Sequence, residues 1–167
     1  MNFLPLMAGL CLAIGMPPGV DAAAMGPTAV ANAGQGHDAA LARQLGADER
    51  GMRRYVLVIL KTGPARVPDG PERDAMFAGH FANMAAWSAA GKLVLAGPFL
   101  QDAEGWRGLY VFAVADRDEA RALAESDPVV RQGEMVAEYH DWYGTAALMQ
   151  VPMLHETLVP PASPDPG

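Results

Sequence analysis

One histidine and one aspartate are the residues of this chain best placed to do chemistry together. His80 lies in the stretch Gly79-His80-Phe81-Ala82-Asn83-Met84, on the inner face of a predicted helix. Asp127 lies in Ser126-Asp127-Pro128, at the end of a second predicted helix. If both side chains reach one pocket, the carboxylate orients the imidazole, and the imidazole can act as a general base or acid. His80 and Asp127 are therefore the candidate proton-transfer pair of this chain.

Each of these residues also has an ordinary structural interpretation. His80 could be a core histidine satisfied by a backbone carbonyl, and Asp127 could simply organise the turn at the helix end. Gly79 lies inside the predicted helix, where glycine costs roughly 1 kcal/mol of helix stability relative to alanine. This cost suggests that another backbone or a ligand approaches Gly79 closely, although a simple packing reason would also explain it. Gly97-Pro98 could be a structural corner or a wall of the same pocket. The sequence leaves these alternatives open.

Other reactive side chains form no recognisable site. The histidines His37, His80, His140 and His155 are scattered, without the HxH or HExxH spacing of a metal site. No P-loop, GxGxxG or serine nucleophile elbow is present. His140 and Glu138 share one face of a predicted strand with Trp142, where they could line the pocket but are more typical of an exposed or interface position. The expectation is a site without metal or cofactor.

The elements that must position His80 and Asp127 follow one order between residues 53 and 150. Strands are predicted at 55–61, 93–99, 109–114 and 134–143, and helices at 72–90 and 116–127. Gly91 ends the first helix, and Asp116 with Glu119 opens the second as in a capping box. The order β-α-β-β-α-β predicts a ferredoxin-like α+β fold with a four-stranded antiparallel sheet.

The first three predicted strands are apolar on both faces. Two helices can cover only one face of a four-stranded sheet, so the other face would leave a large apolar patch in water. A second copy, packed sheet against sheet, is the simplest cover. The sequence therefore predicts a homodimer through the sheet face.

The two ends of the chain have compositions unlike the domain. Residues 1–24 contain an apolar run from Leu4 to Met16 with the only cysteine, Cys11, and they end in the small residues that signal peptidase accepts, so we expect a signal peptide and export to the periplasm. The apolar run is too short for a membrane span, so no stable membrane insertion is expected after its removal. Residues 25–52 are predicted to be a flexible arm, and 151–167 a C-terminal extension with a Pro-rich disordered tail.

The net charge restricts the partners of the protein. At −7, with an isoelectric point near 4.9, the chain lacks the clustered Lys and Arg that nucleic acids and anionic membranes attract. A small-molecule ligand is the expected partner, and nucleic acid is not.

Several motifs, taken together, resemble one known family. The motifs are Gly79-His80, Gly91-Lys92-Leu93, Leu95-Ala96-Gly97-Pro98-Phe99, Asp127-Pro128-Val129 and Trp142-Tyr143-Gly144. In this order they resemble the YciI-related (YCII) domain proteins of the dimeric α+β barrel superfamily, over residues 55–148. The resemblance implies a ferredoxin-like fold that dimerises through its sheets, with His80 and Asp127 as the active site. The leader, the arm and the tail depart from the family pattern and argue against a cytoplasmic catabolic role.

Three functions are consistent with this reading. A few members of the family act on ring-cleavage or chlorinated aromatic intermediates, as dehydrochlorinases or lactone-isomerase-like enzymes, and most have no assigned reaction. The first hypothesis is a cofactor-independent enzyme that uses His80 and Asp127 for isomerisation or elimination on a small organic molecule, such as a cyclic or aromatic acid. The alternatives are a non-catalytic module that binds a small ligand and a structural accessory dimer of the cell envelope.

Overall fold

The computed structural model describes residues 36–100 and 104–160. The elements are α1 (Ala39–Gln44), β1 (Met52–Thr62), α2 (Pro71–Ala89), β2 (Leu93–Pro98), β3 (Trp106–Phe112), α3 (Arg117–Ser126), α4 (Pro128–Arg131), β4 (Met135–Thr145), a 3₁₀ helix (Ala146–Gln150) and α5 (Val151–Glu156). The predicted order of four strands and two long helices is confirmed. The short helices α1, α4 and α5 and the 3₁₀ helix are additions to it.

The four strands form one antiparallel sheet in the order β2-β3-β1-β4. This is the ferredoxin-like arrangement that the sequence predicts. β1 and β4 pair along their whole length, from Met52 opposite Thr145 to Thr62 opposite Met135. The register of β1 with β3 shifts near one end, where Leu60 lies opposite Gly108 and Lys61 opposite Trp106.

The sheet has a core on each face. Between the sheet and the helices lies a large cluster that includes Val56, Val58, Leu60, Trp87, Tyr110 and Phe112. The opposite face carries a smaller cluster of Tyr55, Val94 and Val111, against which Leu148 and Met149 of the 3₁₀ helix pack. The segment after β4 therefore covers part of the face that the sequence assigned to a second copy. Leu95, Val136 and Trp142 remain between 39% and 43% exposed.

The described part of the predicted arm begins at residue 36 and contacts the sheet. Asp38 caps α1 by accepting hydrogen bonds from the Ala40 and Leu41 N–H groups at 3.0 and 2.9 Å. Arg53 donates to the carbonyl oxygen of Leu45 at 2.9 Å, and the Tyr143 hydroxyl donates to Asp48. The last two bonds hold the segment before β1 against β1 and β4.

The other predictions for the two ends of the chain concern residues that the structure does not describe. The signal peptide at 1–24, the arm up to residue 35 and the tail from residue 161 lie outside the described residues. Within 36–100 and 104–160, no helix has the length and apolar content needed to cross a bilayer.

Candidate active site

A close contact between α2 and α4 brings the two predicted site residues together. A Cβ atom on Gly79 would lie 2.9 Å from Cγ of Pro128, a distance that real Cβ atoms essentially never show. Glycine therefore allows α2 to approach the ring of Pro128. Because His80 and Asp127 are the chain neighbours of this contact pair, the same approach places their side chains side by side.

The side chains of His80 and Asp127 meet in the interior. Nδ1 of His80 lies 2.8 Å from Oδ2 of Asp127. The aspartate is fully buried and the histidine is 8% exposed. Asp127 also caps α4, because its Oδ1 accepts from the Val129 N–H at 3.2 Å. The turn role and the contact with the histidine are therefore carried by different oxygens of one carboxylate.

Tyr110, on β3, is a third member of the cluster that the sequence analysis did not identify. Its hydroxyl donates to Oδ2 of Asp127 at 3.0 Å and lies 3.2 Å from Nδ1 of His80. Burial raises the pKa of Tyr110 far above its usual value, and the charge of Asp127 and the hydrogen bond to it raise it further. The phenol therefore stays protonated and acts as a donor. The signal available in the sequence was that Tyr110 and Phe112 alternate along one face of the strand. A tyrosine on a buried face needs a hydrogen-bond partner for its hydroxyl.

The hydrogen bonds around Asp127 favour one tautomer of His80. Three donors converge on the carboxylate when Asp127 is ionised and Nδ1 carries the imidazole proton. The other ring nitrogen, Nε2, then holds a lone pair. Nε2 has no hydrogen-bond partner among the described residues. It is also not among the described side-chain nitrogen and oxygen atoms that are fully buried without a partner. The ring is thus anchored through one nitrogen and open through the other.

His80 lines a cavity of about 350 Å³ between α2 and the ends of β2 and β3. Its described lining consists of Leu60, Phe77, His80, Phe81, Met84, Gly97, Pro98, Phe99, Arg107, Gly108, Leu109, Tyr110 and Met135. Gly97 and Pro98 therefore form part of the wall, as one of the alternatives for them proposed. Most of the lining is apolar, with His80, Tyr110 and Arg107 as its polar side chains.

A second buried acid, Glu134, lies just before β4. Its Oε1 accepts from Nη1 of Arg73 at 2.8 Å, and its Oε2 accepts from the Val67 N–H at 2.8 Å. Nη1 of Arg107 is further away, at 3.8 Å. Burial alone would raise the pKa of Glu134, but the Val67 and Arg73 hydrogen bonds and the neighbouring arginine charges outweigh it and lower that pKa.

The other candidate residues lie elsewhere. Nε2 of His140 is 2.9 Å from Oε1 of Glu138, and both side chains are nearly half exposed. Neither residue belongs to the described lining of the cavity with His80. Among residues 36–100 and 104–160, no group of three or more His, Cys, Asp or Glu side chains is placed to hold a metal ion.

Comparison with known proteins gives a family and a structural likeness. The model of the YCII-related domain matches residues 54–142, a range that holds His80, Tyr110 and Asp127. No curated protein matches the chain. Among solved structures, the chain is similar to 5-chloro-2-hydroxyhydroquinone dehydrochlorinase from Burkholderia phenoliruptrix AC1100, in complex with 2,5-dihydroxybenzoquinone. That likeness has 19% identity and a TM-score of 0.39, and it covers 52% of this chain and 92% of the other.

Proposed function

This chain belongs to the family of YCII-related domain proteins, and we propose that it is a cofactor-independent enzyme in which His80 and Asp127 transfer protons on a small organic substrate. The observation that carries the proposal is that the two nitrogens of the imidazole have different surroundings. Nδ1 is held at 2.8 Å by a fully buried carboxylate, while Nε2 is the nitrogen left for the cavity. This is the arrangement that a general base requires.

The reaction supported best is proton abstraction from carbon. Nε2 of His80 accepts a proton from a C–H bond next to an electron-withdrawing group, and the bond pair stays on the substrate as an enolate. Asp127 stabilises the imidazolium that forms. In an isomerisation the proton returns to a different carbon, and in an elimination the pair expels a leaving group while the proton passes to solvent. General acid–base catalysis of this kind contributes about 10²- to 10⁴-fold in rate.

Tyr110 acts as a positioning residue in this scheme. Its hydroxyl gives Asp127 a second side-chain donor, so the carboxylate remains aimed at Nδ1 when the imidazole changes charge. Because the pKa of Tyr110 is raised by burial and by Asp127, the hydroxyl does not compete for the proton that His80 moves.

The setting of the enzyme is a further part of the proposal. Export to the periplasm is supported by the apolar run and the Ala22-Ala23-Ala24 sequence of the leader. A homodimer through the sheet face is supported by the exposed apolar side chains of Leu95, Val136 and Trp142. N-terminal sequencing of the secreted product tests the first, and sedimentation of the purified chain tests the second.

The proposal is tested by deuterium exchange. A panel of cyclic carbon acids, including keto acids, unsaturated lactones and hydroxylated quinones, is first screened for binding by thermal shift. Each binder is then incubated in D₂O, and deuterium at carbon is followed by NMR. We expect the wild type to accelerate exchange or turnover of a binder, and His80→Asn and Asp127→Asn to reduce the rate about 10²- to 10⁴-fold.

His140→Asn is the matched control, because His140 also pairs with a carboxylate but is outside the cavity lining. Its rate should equal that of the wild type. Binding without any acceleration by the wild type would contradict the enzyme and favour the ligand-binding module, which the mostly apolar lining also suits. Equal rates in the wild type and His80→Asn would exclude His80 as the base.

A further inference from the structure

Arg107 enters the cavity through an irregularity in the sheet. Leu60 lies opposite Gly108 and Lys61 lies opposite Trp106. Arg107 is therefore an extra residue of β3 that has no pairing partner on β1. An extra residue of this kind is typical of a β-bulge, and bulges redirect a side chain, often beside an active site. Arg107 lines the same cavity as His80, and its side chain is 32% exposed.

The charge of Arg107 is only partly balanced by the protein. Among the described residues, the carboxylate within 4 Å of it is that of Glu134, at 3.8 Å, which is too long for a hydrogen bond. Glu134 already accepts from Arg73 at 2.8 Å and from the Val67 N–H. One carboxylate thus faces two guanidinium groups and bonds only one of them. Arg107 is also the only permanently charged side chain in the described lining of the cavity.

The rest of the lining favours a flat ring. Phe77, Phe81 and Phe99 contribute aromatic rings, and the ring centroids of Phe77 and Phe81 lie 6.0 and 5.2 Å from that of His80. Phe81 is 62% exposed, so its ring remains accessible. Aromatic faces and edges of this kind stack well on a planar ligand.

We propose that Arg107 binds an ionised oxygen of the ligand, and that the ligand is a planar ring that carries a carboxylate or a phenolate. The inference rests on the proposed function, since it assigns the ligand of the same cavity. A guanidinium presents two parallel donors to a carboxylate and a strong donor to a phenolate. In a cavity with few other polar groups, this contact fixes the orientation of the ring relative to Nε2 of His80.

The experiment measures binding of unreactive probes by calorimetry. Benzoate is compared with benzamide, and 2,4-dinitrophenolate with 2,4-dinitroaniline, on the full chain. We expect the wild type to prefer each anion over its neutral counterpart by about tenfold or more, since charge-assisted hydrogen bonds are the stronger ones. Arg107→Gln should remove this preference and leave the affinity for the neutral probes unchanged. A preference for one anion only identifies which ionised oxygen the site takes.

Two variants keep the result interpretable. Arg117→Gln is the matched control, because Arg117 pairs with Asp141 outside this cavity, and it should retain the anion preference. Arg107→Lys keeps the charge, and retention of part of the preference would separate charge from loss of fold. Equal affinity of the wild type for benzoate and benzamide, together with equal affinity for the second pair, would overturn the inference, as would an unchanged preference in Arg107→Gln.

The outcome is separable from that of the proposed function. Anion binding does not require proton transfer, so the probe affinities and the exchange rates report on different steps. If exchange at carbon depends on His80 but no anion preference exists, only the role of Arg107 fails. If the preference exists and depends on Arg107 but no exchange occurs, only the catalytic proposal fails.

Discussion

Two buried carboxylates stand on either side of α4 and have opposite kinds of partner. Asp127, just before the helix, is fully buried, and its carboxylate contacts an imidazole nitrogen and accepts a hydrogen bond from a phenol hydroxyl. Glu134, just after it, is 2% exposed, and its carboxylate accepts hydrogen bonds from a guanidinium and a backbone N–H. Burial is nearly the same at both positions. The chemistry of the partners is what differs.

This difference determines what each acid can do. A guanidinium stays protonated in proteins, so the Arg73–Glu134 pair has no proton to give or take. An imidazole changes its protonation state near neutral pH, so the carboxylate beside it can support proton transfer. The comparison gives Glu134 a role in the stability of the domain and makes Asp127 the acid suited to the proton transfer that we propose.

The largest expected effect on stability is at Glu134. Glu134→Gln removes the buried counter-ion of Arg73 and leaves that guanidinium only the exposed Asp69 at 3.4 Å, so it should cost up to about 3–5 kcal/mol in the free energy of unfolding. Asp127→Asn removes no permanent counter-ion and should cost less. Urea denaturation of the two variants measures the difference. Equal losses in both variants would break the distinction between the two acids.

The acid dependence of stability follows from the same residue. The pKa of Glu134 is lowered in the folded state, against roughly 4.3 in an unfolded chain. Its contribution is therefore complete above the unfolded value and is lost as the pH falls through the folded value. Glu134→Gln should flatten that part of the curve of unfolding free energy against pH. A curve unchanged from the wild type would contradict the role given to Glu134.

A smaller effect is expected when Tyr110 is changed to phenylalanine. Tyr110→Phe removes one donor from a fully buried carboxylate, which costs about 1–3 kcal/mol. Because the pKa of Tyr110 is raised in the fold, its contribution is complete below roughly 10, the unfolded value, and is lost as the pH rises beyond it. The variant should therefore lose less stability than the wild type in alkaline solution. An identical alkaline transition would contradict a buried Tyr110 hydroxyl with a raised pKa.

The smallest expected effect is at the contact that brings the cluster together. Gly79→Ala gains about 1 kcal/mol of helix propensity, but its Cβ meets the ring of Pro128 at 2.9 Å, and overpacking costs about 1–3 kcal/mol. We expect a net loss of about 0–2 kcal/mol, seen in thermal melting, and a displaced His80 seen as slower exchange at carbon. Ala82→Gly, on the same helix, is the control for propensity alone. Faster exchange or a clear gain in stability would contradict the close contact.

The sequence was sufficient to predict the four strands, the two long helices and two residues of the candidate site. His80 and Asp127 could be predicted because His80 lies on a helix whose end is marked by Gly91, and Asp127 lies at the end of a helix marked by Asp116 and Pro128. Helix periodicity and end signals depend on neighbours in the chain. The order of the strands followed from the same local signals.

The other members of the site depend on contacts between distant segments. The third strand was predicted to begin at 109, whereas it begins at Trp106, so Arg107 was left out of the sheet and its extra position in the register was invisible. Glu134 was read only as the start of a strand, because its partner Arg73 lies on another element. Likewise, the packing of Leu148 on the outer face of the sheet requires the chain to turn back after β4.

The most direct test of the central claim is the ¹⁵N spectrum of the His80 imidazole, read at a pH above its titration. The account predicts a neutral ring with the proton on Nδ1 and a bare Nε2, and a loss of this fixed tautomer in Asp127→Asn. A ring that carries its proton on Nε2 would contradict it. Nδ1 would then accept from Tyr110 or from a protonated Asp127, and no lone pair would be left to take a proton from a ligand in the cavity.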